Sequence, residues 1–153
     1  MRKTVIRPAR LGDLDAIEAL ENRAFSGDRL SRRSLRRYIG APSALMLCAF
    51  SDGDFAGYAL IGLRKDSQTA SVYSIAVDPD MNGRGLGRAL MIAAEQGAAA
   101  RGRTALTLEV RADNSGAVGL YERLGYERFD VIADYYEDGQ SALRMRKGLA
   151  APR

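Results

Sequence analysis

Apolar residues recur along the chain at two spacings, and the spacing predicts which segments are helices and which are strands. Residues 13–25 carry apolar side chains every three to four positions, with acids early and Arg23 late, as an amphipathic helix does. Residues 45–50 are apolar without interruption, and residues 104–110 alternate between apolar and polar side chains; both patterns indicate strands. The apolar stripe of the first helix consists of Leu14, Ile17, Leu20 or Glu21, and Ala24.

The same criteria, applied to the whole chain, predict seven strands and four helices in the order β-α-α-β-β-β-α-β-α-β-β. Turn signals at residues 52–54 and 137–139 predict two β-hairpins. We find no internal repeat and no linker, so the pattern predicts one α+β domain over residues 1–153 with a mixed sheet. The predicted strands are residues 4–7, 45–50, 55–63, 70–77, 104–110, 127–136 and 141–147, and the predicted helices are residues 13–25, 31–40, 86–100 and 114–124.

The composition excludes several kinds of catalytic site. The 153 residues include no histidine and one cysteine, so there is no Ser-His-Asp triad, Cys-His pair, imidazole metal ligand or internal disulfide. Cys48 lies in the apolar strand 45–50 without a charged neighbour, and we expect it in the core. Acid–base chemistry would therefore fall to Asp, Glu, Tyr, Lys or the termini.

No membrane span and no signal peptide are expected. No apolar run approaches about 18 residues, and the first residues are charged too early for a secretory signal. The predicted location is cytoplasmic.

The net charge of +4 comes mostly from arginine, since only three of the 23 basic residues are lysine. Arginine suits phosphate and carboxylate partners. Five arginines crowd nine positions in and just before the second predicted helix, where they could dock an acidic substrate or nucleic acid, or form a solvated face paired with Glu18 or Glu21. A nucleic-acid or acidic-protein binding module is thus one alternative, although no recognition motif supports it. The clustered residues are Arg29, Arg32, Arg33, Arg36 and Arg37.

A glycine-rich loop lies between a predicted strand and a predicted helix, and it is the clearest candidate binding site. Its backbone can approach a ligand closely, and the following helix directs free N–H groups and its positive dipole end toward the loop. We therefore predict that it cradles a pyrophosphate. The loop residues are Gly83, Arg84, Gly85, Leu86, Gly87 and Arg88.

Three ligand families use loops of this kind. The P-loop requires a Gly-Lys-Ser/Thr ending, and this loop ends Gly87-Arg88-Ala89. The dinucleotide fingerprint G-x-G-x-x-G fails because the third glycine comes one residue early, although Glu109 stands near the expected acid position. The [Q/R]-x-x-G-x-[G/A] loop of acyl-CoA enzymes fits from position 82 onward, except that Asn82 replaces Gln or Arg at its first position. A dinucleotide-dependent enzyme remains a further alternative.

Three segments together resemble the GNAT superfamily of N-acetyltransferases. They are Ile75-Ala76-Val77-Asp78-Pro79, the glycine loop, and Leu108-Glu109-Val110-Arg111-Ala112-Asp113-Asn114 followed by Leu120-Tyr121-Glu122-Arg123-Leu124-Gly125-Tyr126. The resemblance covers nearly the whole chain and is nearest to the ribosomal-protein-alanine N-acetyltransferase subfamily. It implies the GNAT fold, in which two central strands of the mixed sheet splay apart.

The resemblance also implies a cosubstrate, acetyl-CoA, and roles for particular residues. Backbone groups of Ile75, Ala76 and Val77 would hold the pantetheine arm, and residues 83–88 would hold the pyrophosphate. Asn114 would contact the cosubstrate; its residue type also suits a helix N-cap. No metal is expected.

Direct acetyl transfer to an amine needs a base and an acid. Glu109 is the expected base, either with its pKa raised by burial or acting through a water, because a free glutamate near 4.3 is weak for this task. Tyr121 is the expected acid toward the leaving thiolate. A backbone N–H of Val77 or its neighbour would stabilise the oxyanion.

The acceptor implied is a peptide or protein N-terminal α-amine, with a small-molecule amine as the alternative. The acids Asp134, Glu137 and Asp138 of the last hairpin could steer a cationic N-terminus. One segment differs from the subfamily: Phe25-Ser26-Gly27-Asp28-Arg29-Leu30 replaces its Phe-Pro-Trp type segment in the acceptor region. The sequence leaves the individual acceptor and the oligomeric state open.

Overall fold

Seven β-strands form one mixed sheet covered by four α-helices in the computed structural model, which describes residues 2–27 and 29–150. The predicted α+β class and the predicted element order are both confirmed, and most element ends lie within two residues of those predicted. The strands are β1 (Thr4–Pro8), β2 (Ala44–Ser51), β3 (Asp54–Gly62), β4 (Thr69–Val77), β5 (Ala105–Arg111), β6 (Glu127–Ile132) and β7 (Ala142–Gly148). The helices are α1 (Leu14–Ala24), α2 (Arg32–Tyr38), α3 (Leu86–Ala100) and α4 (Ser115–Arg123).

The centre of the sheet splays open between two parallel strands. The strand order is β1-β2-β3-β4-β5-β7-β6, and β4 with β5 is the parallel pair. These two strands pair only from Thr69–Ala105 to Ser71–Thr107, where the two hydroxyl oxygens of the last pair lie 3.1 Å apart. Beyond that pair, β4 and β5 share no ladder. The sheet therefore contains a gap between β4 and β5. Backbone groups of β4 border this gap.

Helices cover the two faces of the sheet and create two hydrophobic cores. Residues of α3 and α4 pack on one face, and residues of α1 and α2 pack on the other. Because β2 is covered on both faces, its run of apolar residues without alternation is explained. Cys48 is fully buried in the core under α1 and α2, where desolvation raises the pKa of its thiol to about 12. The prediction that Cys48 is a core residue is confirmed.

The longest described helix, α3, has 15 residues and begins at the glycine loop. Its small side chains Ala94 and Ala98 are fully buried, so the helix axis lies close to the sheet. None of the described helices combines the length and the apolar character that a membrane span requires.

The last hairpin differs from the prediction. Strand β6 ends at Ile132, so the predicted extension over 133–136 is wrong. Asp134 adopts a left-handed conformation with φ of 52°, and the chain no longer pairs with β7 at this turn. The N–H groups of Tyr135 and Tyr136 then both donate to the carbonyl oxygen of Gln140, at 3.1 Å. Residues 133–141 are consequently a broad connection rather than a tight turn, and they form part of the rim of the central gap.

Candidate active site

The glycine loop presents a row of backbone donors at the start of α3. Gly83 and Gly85 have φ of 81° and 72°, a left-handed conformation that favours glycine, and Gly85 is the N-cap of α3. A Cβ added at either position would meet no atom within 4 Å, so the space above the loop is open. Among the described residues, no acceptor receives the N–H groups of residues 83–88. The loop therefore has the open space and the free N–H groups that an anion site at a helix N-terminus requires.

The two arginines of the loop differ in their surroundings. Arg84 is half-buried and donates from Nη1 to the Ser51 hydroxyl oxygen at 3.1 Å. Arg88 is exposed and has neither a hydrogen bond nor an ion pair with any residue in the described part of the chain. The Arg88 guanidinium thus remains available for a phosphate.

The edge of β4 that faces the gap carries free backbone groups. The N–H of Asp78 donates to the carbonyl of Ala56 at 2.7 Å, and Val77 is the next residue in register, opposite Gly57. Because antiparallel pairing alternates, the N–H and C=O of Val77 and of Ile75 point away from β3 and into the gap. Ala76 lies between them, so its backbone groups are directed to β3. Of the three β4 residues predicted to bind the cosubstrate, two therefore expose their main chain.

A cavity of about 570 Å³ occupies the splay and brings together the predicted catalytic residues. Glu109 of β5, Tyr121 of α4 and Asn114 all line it, together with Ile75 of β4. The seven-residue separation of Asn114 and Tyr121 places both side chains on one side of α4, as the sequence predicts. Asn114 is also the N-cap of α4, since its Oδ1 accepts from the N–H of Ala117 at 3.2 Å.

Tyr121 is a buried phenol in the wall of this cavity. Its side chain is 7% exposed, and its ring packs edge to face on that of Tyr126, with centroids 6.0 Å apart. Within the described residues, the Tyr121 hydroxyl forms no hydrogen bond, whereas the Tyr126 hydroxyl donates to Glu95 Oε2 at 2.8 Å. Burial raises the pKa of Tyr121 above its usual value, so the hydroxyl keeps its proton at neutral pH.

The side chain of Glu109 is more exposed to solvent than the hypothesis of a buried base requires. Its side chain is 39% exposed, and Oε1 lies 3.8 Å from Nε of Arg144 on the neighbouring strand β7. Leu108 and Val110, on either side of it, are buried in the core under α3 and α4. The alternation of β5 therefore directs Glu109 to the opposite face of the sheet. A proton acceptor in this exposed position is suited to act through water.

A second, smaller cavity of about 460 Å³ adjoins the first on the face covered by α1 and α2. The two cavities share Leu30, Val72, Tyr73 and Glu109 in their walls. The pair Ser71 and Thr107, where β4 and β5 separate, forms part of its wall. Glu109 thus lies at the junction of the larger cavity, which Tyr121 lines, and the smaller cavity, which extends toward α2.

The connection 133–141 is fastened to the end of β5 by Arg111. Its Nη2 lies 2.5 Å from Asp138 Oδ2, its Nε lies 3.1 Å from Asp113 Oδ1, and its Cζ lies 4.9 Å from the Tyr136 ring centroid. The Arg111 hydrogen bond lowers the pKa of Asp138 below its usual value. Glu137 and Asp138 both line the larger cavity, but the charge of Asp138 is offset by Arg111. Glu137 is therefore the acid of this connection best placed to meet a cation.

Four residues that shape the site were given no role in it by the sequence: Glu21, Tyr73, Arg111 and Arg144. Three of them follow ordinary strand patterns, so no local signal marks them. Glu21 does leave a signal, because it is an acid within the apolar stripe of the first helix and is only 1% exposed. Such a buried carboxylate must have polar partners, which only the folded structure identifies.

The arginine cluster is partly engaged by α1. Nη1 of Arg32 lies 2.7 Å from Asp15 Oδ1 and 2.9 Å from Glu18 Oε1, so the suggested pairing with Glu18 is found. Glu21 takes no part in it. Among the described residues, no group of three or more acidic or cysteine side chains could hold a metal ion.

Comparison with known proteins places these features in one family. The model of the acetyltransferase (GNAT) family matches residues 14–126. A Bacillus subtilis protein, assigned provisionally as a ribosomal protein bS18-alanine N-acetyltransferase, is 31% identical over 144 residues, which cover 94% of each chain. A mycothiol acetyltransferase of Clavibacter sepedonicus is 36% identical over 131 residues, 80% of this chain and 42% of that protein.

The solved structures give the same result. The crystal structure of the ribosomal-protein-S18-alanine N-acetyltransferase from Escherichia coli superimposes with a TM-score of 0.85 at 29% identity, covering 99% of this chain and 97% of that one. The splayed sheet and the glycine loop before α3 thus belong to a known enzyme architecture. The resemblance to N-acetyltransferases inferred from the sequence is confirmed, and the chain belongs to the GNAT family of acetyltransferases.

Proposed function

We propose that this enzyme transfers an acetyl group from acetyl-CoA directly to the N-terminal α-amine of a peptide or protein. We further propose that residues 1–153 form one such domain. The observation that carries the proposal is the shared cavity, which both Glu109 and Tyr121 line beside the free backbone edge of β4. Acetyl-CoA would supply the activated acetyl thioester.

The groups around the gap fit acetyl-CoA. The N–H groups of residues 83–88 and the exposed Arg88 suit its pyrophosphate, and the open space above Gly83 and Gly85 leaves room for it. The main chain of Ile75 and Val77 suits the amides of the pantetheine arm, which need backbone partners. Asn114, at the N-terminus of α4, lines the same cavity.

Three residues would then carry the chemistry. Glu109 accepts the proton of the acceptor ammonium through a water, since its side chain is exposed at the junction of the two cavities. The N–H of Val77 donates to the carbonyl oxygen as negative charge develops there. Tyr121, which is protonated at neutral pH, donates its proton to the departing sulfur.

An α-amine is the acceptor that this site handles most readily. Its pKa is about 7.7–8.0, against about 10.4 for a lysine side chain. Delivering a neutral lysine would cost the site about 3 kcal/mol more, at about 1.36 kcal/mol for each pKa unit. Glu109, without a histidine relay, suits the easier amine. The Bacillus and Escherichia relatives are named as alanine N-acetyltransferases of ribosomal protein S18, so a peptide that begins with alanine is the first acceptor to test.

Mass spectrometry of one peptide that carries both a free N-terminal alanine and an internal lysine tests this proposal. We expect acetyl on the α-amine and none on the lysine at neutral pH. Acetylation confined to the lysine would contradict the N-terminal assignment. Turnover of small amines alone would favour the second candidate, a small-molecule acetyltransferase, which the mycothiol acetyltransferase relative supports.

A substitution in the glycine loop tests the cosubstrate site separately. We expect acetyl-CoA and CoA to raise the melting temperature of the protein, and Gly85→Glu to abolish that increase. The new side chain would place bulk and negative charge in the open space above the loop, and φ of 72° disfavours any side chain there. Gly102→Glu is a matched control, since Gly102 also has positive φ and open space but lies at the other end of α3. Equal stabilisation of Gly85→Glu and the wild type would remove the loop assignment.

A further inference from the structure

A buried carboxylate on α1 forms a polar cluster that the proposed chemistry does not use. Glu21 is 1% exposed, and no cation pairs with it among the described residues. Its Oε1 accepts hydrogen bonds from the hydroxyl groups of Tyr58 on β3 and Ser74 on β4, the latter at 3.0 Å. Its Oε2 accepts from the backbone N–H of Leu30 at 2.8 Å. Burying an ion without a counter-ion is costly, so this arrangement needs all of its donors.

Glu21 holds both ends of the segment that connects α1 to α2. Its main-chain carbonyl accepts from the N–H of Phe25, the C-cap of α1, at 3.0 Å, and its side chain accepts from the N–H of Leu30. Hydrogen bonds to this one residue therefore hold Phe25, at the start of the connection, and Leu30, near its end. Leu30 does not continue a regular element, so this hydrogen bond substitutes for a ladder or helix partner.

The segment fastened in this way forms a wall of the proposed acceptor site. Phe25, Ser26, Gly27 and Leu30 all line the larger cavity, and Leu30 also lines the smaller one. The other side of the cluster reaches β4, because Ser74 precedes Ile75, whose main chain faces the gap. Glu21 thus links the acceptor-side wall to the strand that borders the cosubstrate gap.

We propose that Glu21 is a positioning residue for the acceptor: by accepting from the N–H of Leu30, it sets the distance between β4 and the wall formed by Phe25, Ser26, Gly27 and Leu30. The inference rests on the proposed function, because it concerns the acceptor side of the same site. In this explanation Glu21 acts as a hydrogen-bond acceptor, and its negative charge is not required. The alternative explanation is that the charge itself matters. The two explanations predict different outcomes for different substitutions at position 21.

Glu21→Leu and Glu21→Gln separate these explanations. Leucine keeps an apolar volume in the buried site and removes the acceptor for Leu30, while the Tyr58 and Ser74 hydroxyls, 3.1 Å apart, can still bond to each other. Glutamine keeps an oxygen for the N–H of Leu30, and its amide group can donate to the two hydroxyls. We expect Glu21→Leu to lower kcat/KM for the acceptor about tenfold with KM for acetyl-CoA unchanged, and Glu21→Gln to retain the acceptor kinetics.

Glu95→Leu is the matched control. Glu95 on α3 is another shielded carboxylate that accepts from a buried tyrosine, Tyr126, but it lies under the opposite face of the sheet. The Glu95→Leu substitution should lower the melting temperature without changing KM for the acceptor. Hydrogen exchange of the Leu30 amide in the wild type gives a second measurement that needs no variant. We expect protection at Leu30 well above that of Gly27.

Each result decides the inference. Wild-type acceptor kinetics in Glu21→Leu, an equal loss in Glu21→Leu and Glu95→Leu, or an unprotected Leu30 amide would overturn it. An equal loss in Glu21→Leu and Glu21→Gln would show that the charge matters and would also overturn it. If the wild type acetylates only small amines, the proposed peptide acceptor fails, and the same kinetic comparison with that amine still tests Glu21.

Discussion

Tyr121→Phe is expected to lower kcat by about a hundred- to ten-thousand-fold, the usual range for loss of a general acid or base. The substitution removes the hydroxyl that lines the cavity and leaves the ring packed on Tyr126, so the melting temperature should change little. KM for acetyl-CoA should stay close to that of the wild type, because the loop and β4 are untouched. Steady-state kinetics at neutral pH with saturating acetyl-CoA measures the effect.

Tyr126→Phe is the control for this experiment. Tyr126 is also buried, and its ring is the direct neighbour of Tyr121, but its hydroxyl is committed to Glu95. We expect some loss of stability and nearly normal kcat. A loss of less than about tenfold in Tyr121→Phe would mean that solvent protonates the leaving sulfur.

Glu109→Gln is expected to lower kcat by a comparable factor at neutral pH, with far less effect on acetyl-CoA binding. Glutamine keeps the shape of the side chain and removes the proton acceptor. Without the base, the rate should rise with pH toward that of the wild type, because a growing fraction of the acceptor amine is already neutral. A pH–rate profile of both enzymes between neutral and mildly alkaline pH tests this expectation.

The control for Glu109→Gln is Glu127→Gln. Glu127 is an exposed glutamate on β6, outside both cavities, and it pairs in register with Arg146 of β7. Its substitution should leave the pH–rate profile unchanged. If Glu109→Gln has a wild-type rate at neutral pH, Glu109 serves only its ion pair with Arg144, and another group must take the proton.

Local patterns in the sequence determined most of the fold. The helical spacing of residues 13–25, the unbroken apolar run in β2 and the glycine loop before α3 each depend on neighbours within a few residues, so the amino-acid order predicts them. The prediction of the last hairpin was wrong for the converse reason. The positive φ of Asp134 and the ion pair of Asp138 with Arg111, 27 residues earlier, depend on contacts that no local pattern reports.

The sequence also named Glu109, Tyr121, Asn114 and the loop residues, through motifs whose spacing is short. It could not decide how exposed Glu109 is, because that depends on Arg144, which β7 brings beside β5 from a distant part of the chain. It marked Glu21 as an acid in an apolar stripe and as a possible partner of the arginine cluster, and the second suggestion is wrong. Its donors on β3, on β4 and at Leu30 come together only when the sheet and α1 pack, and this tertiary packing decides the shape of the acceptor side.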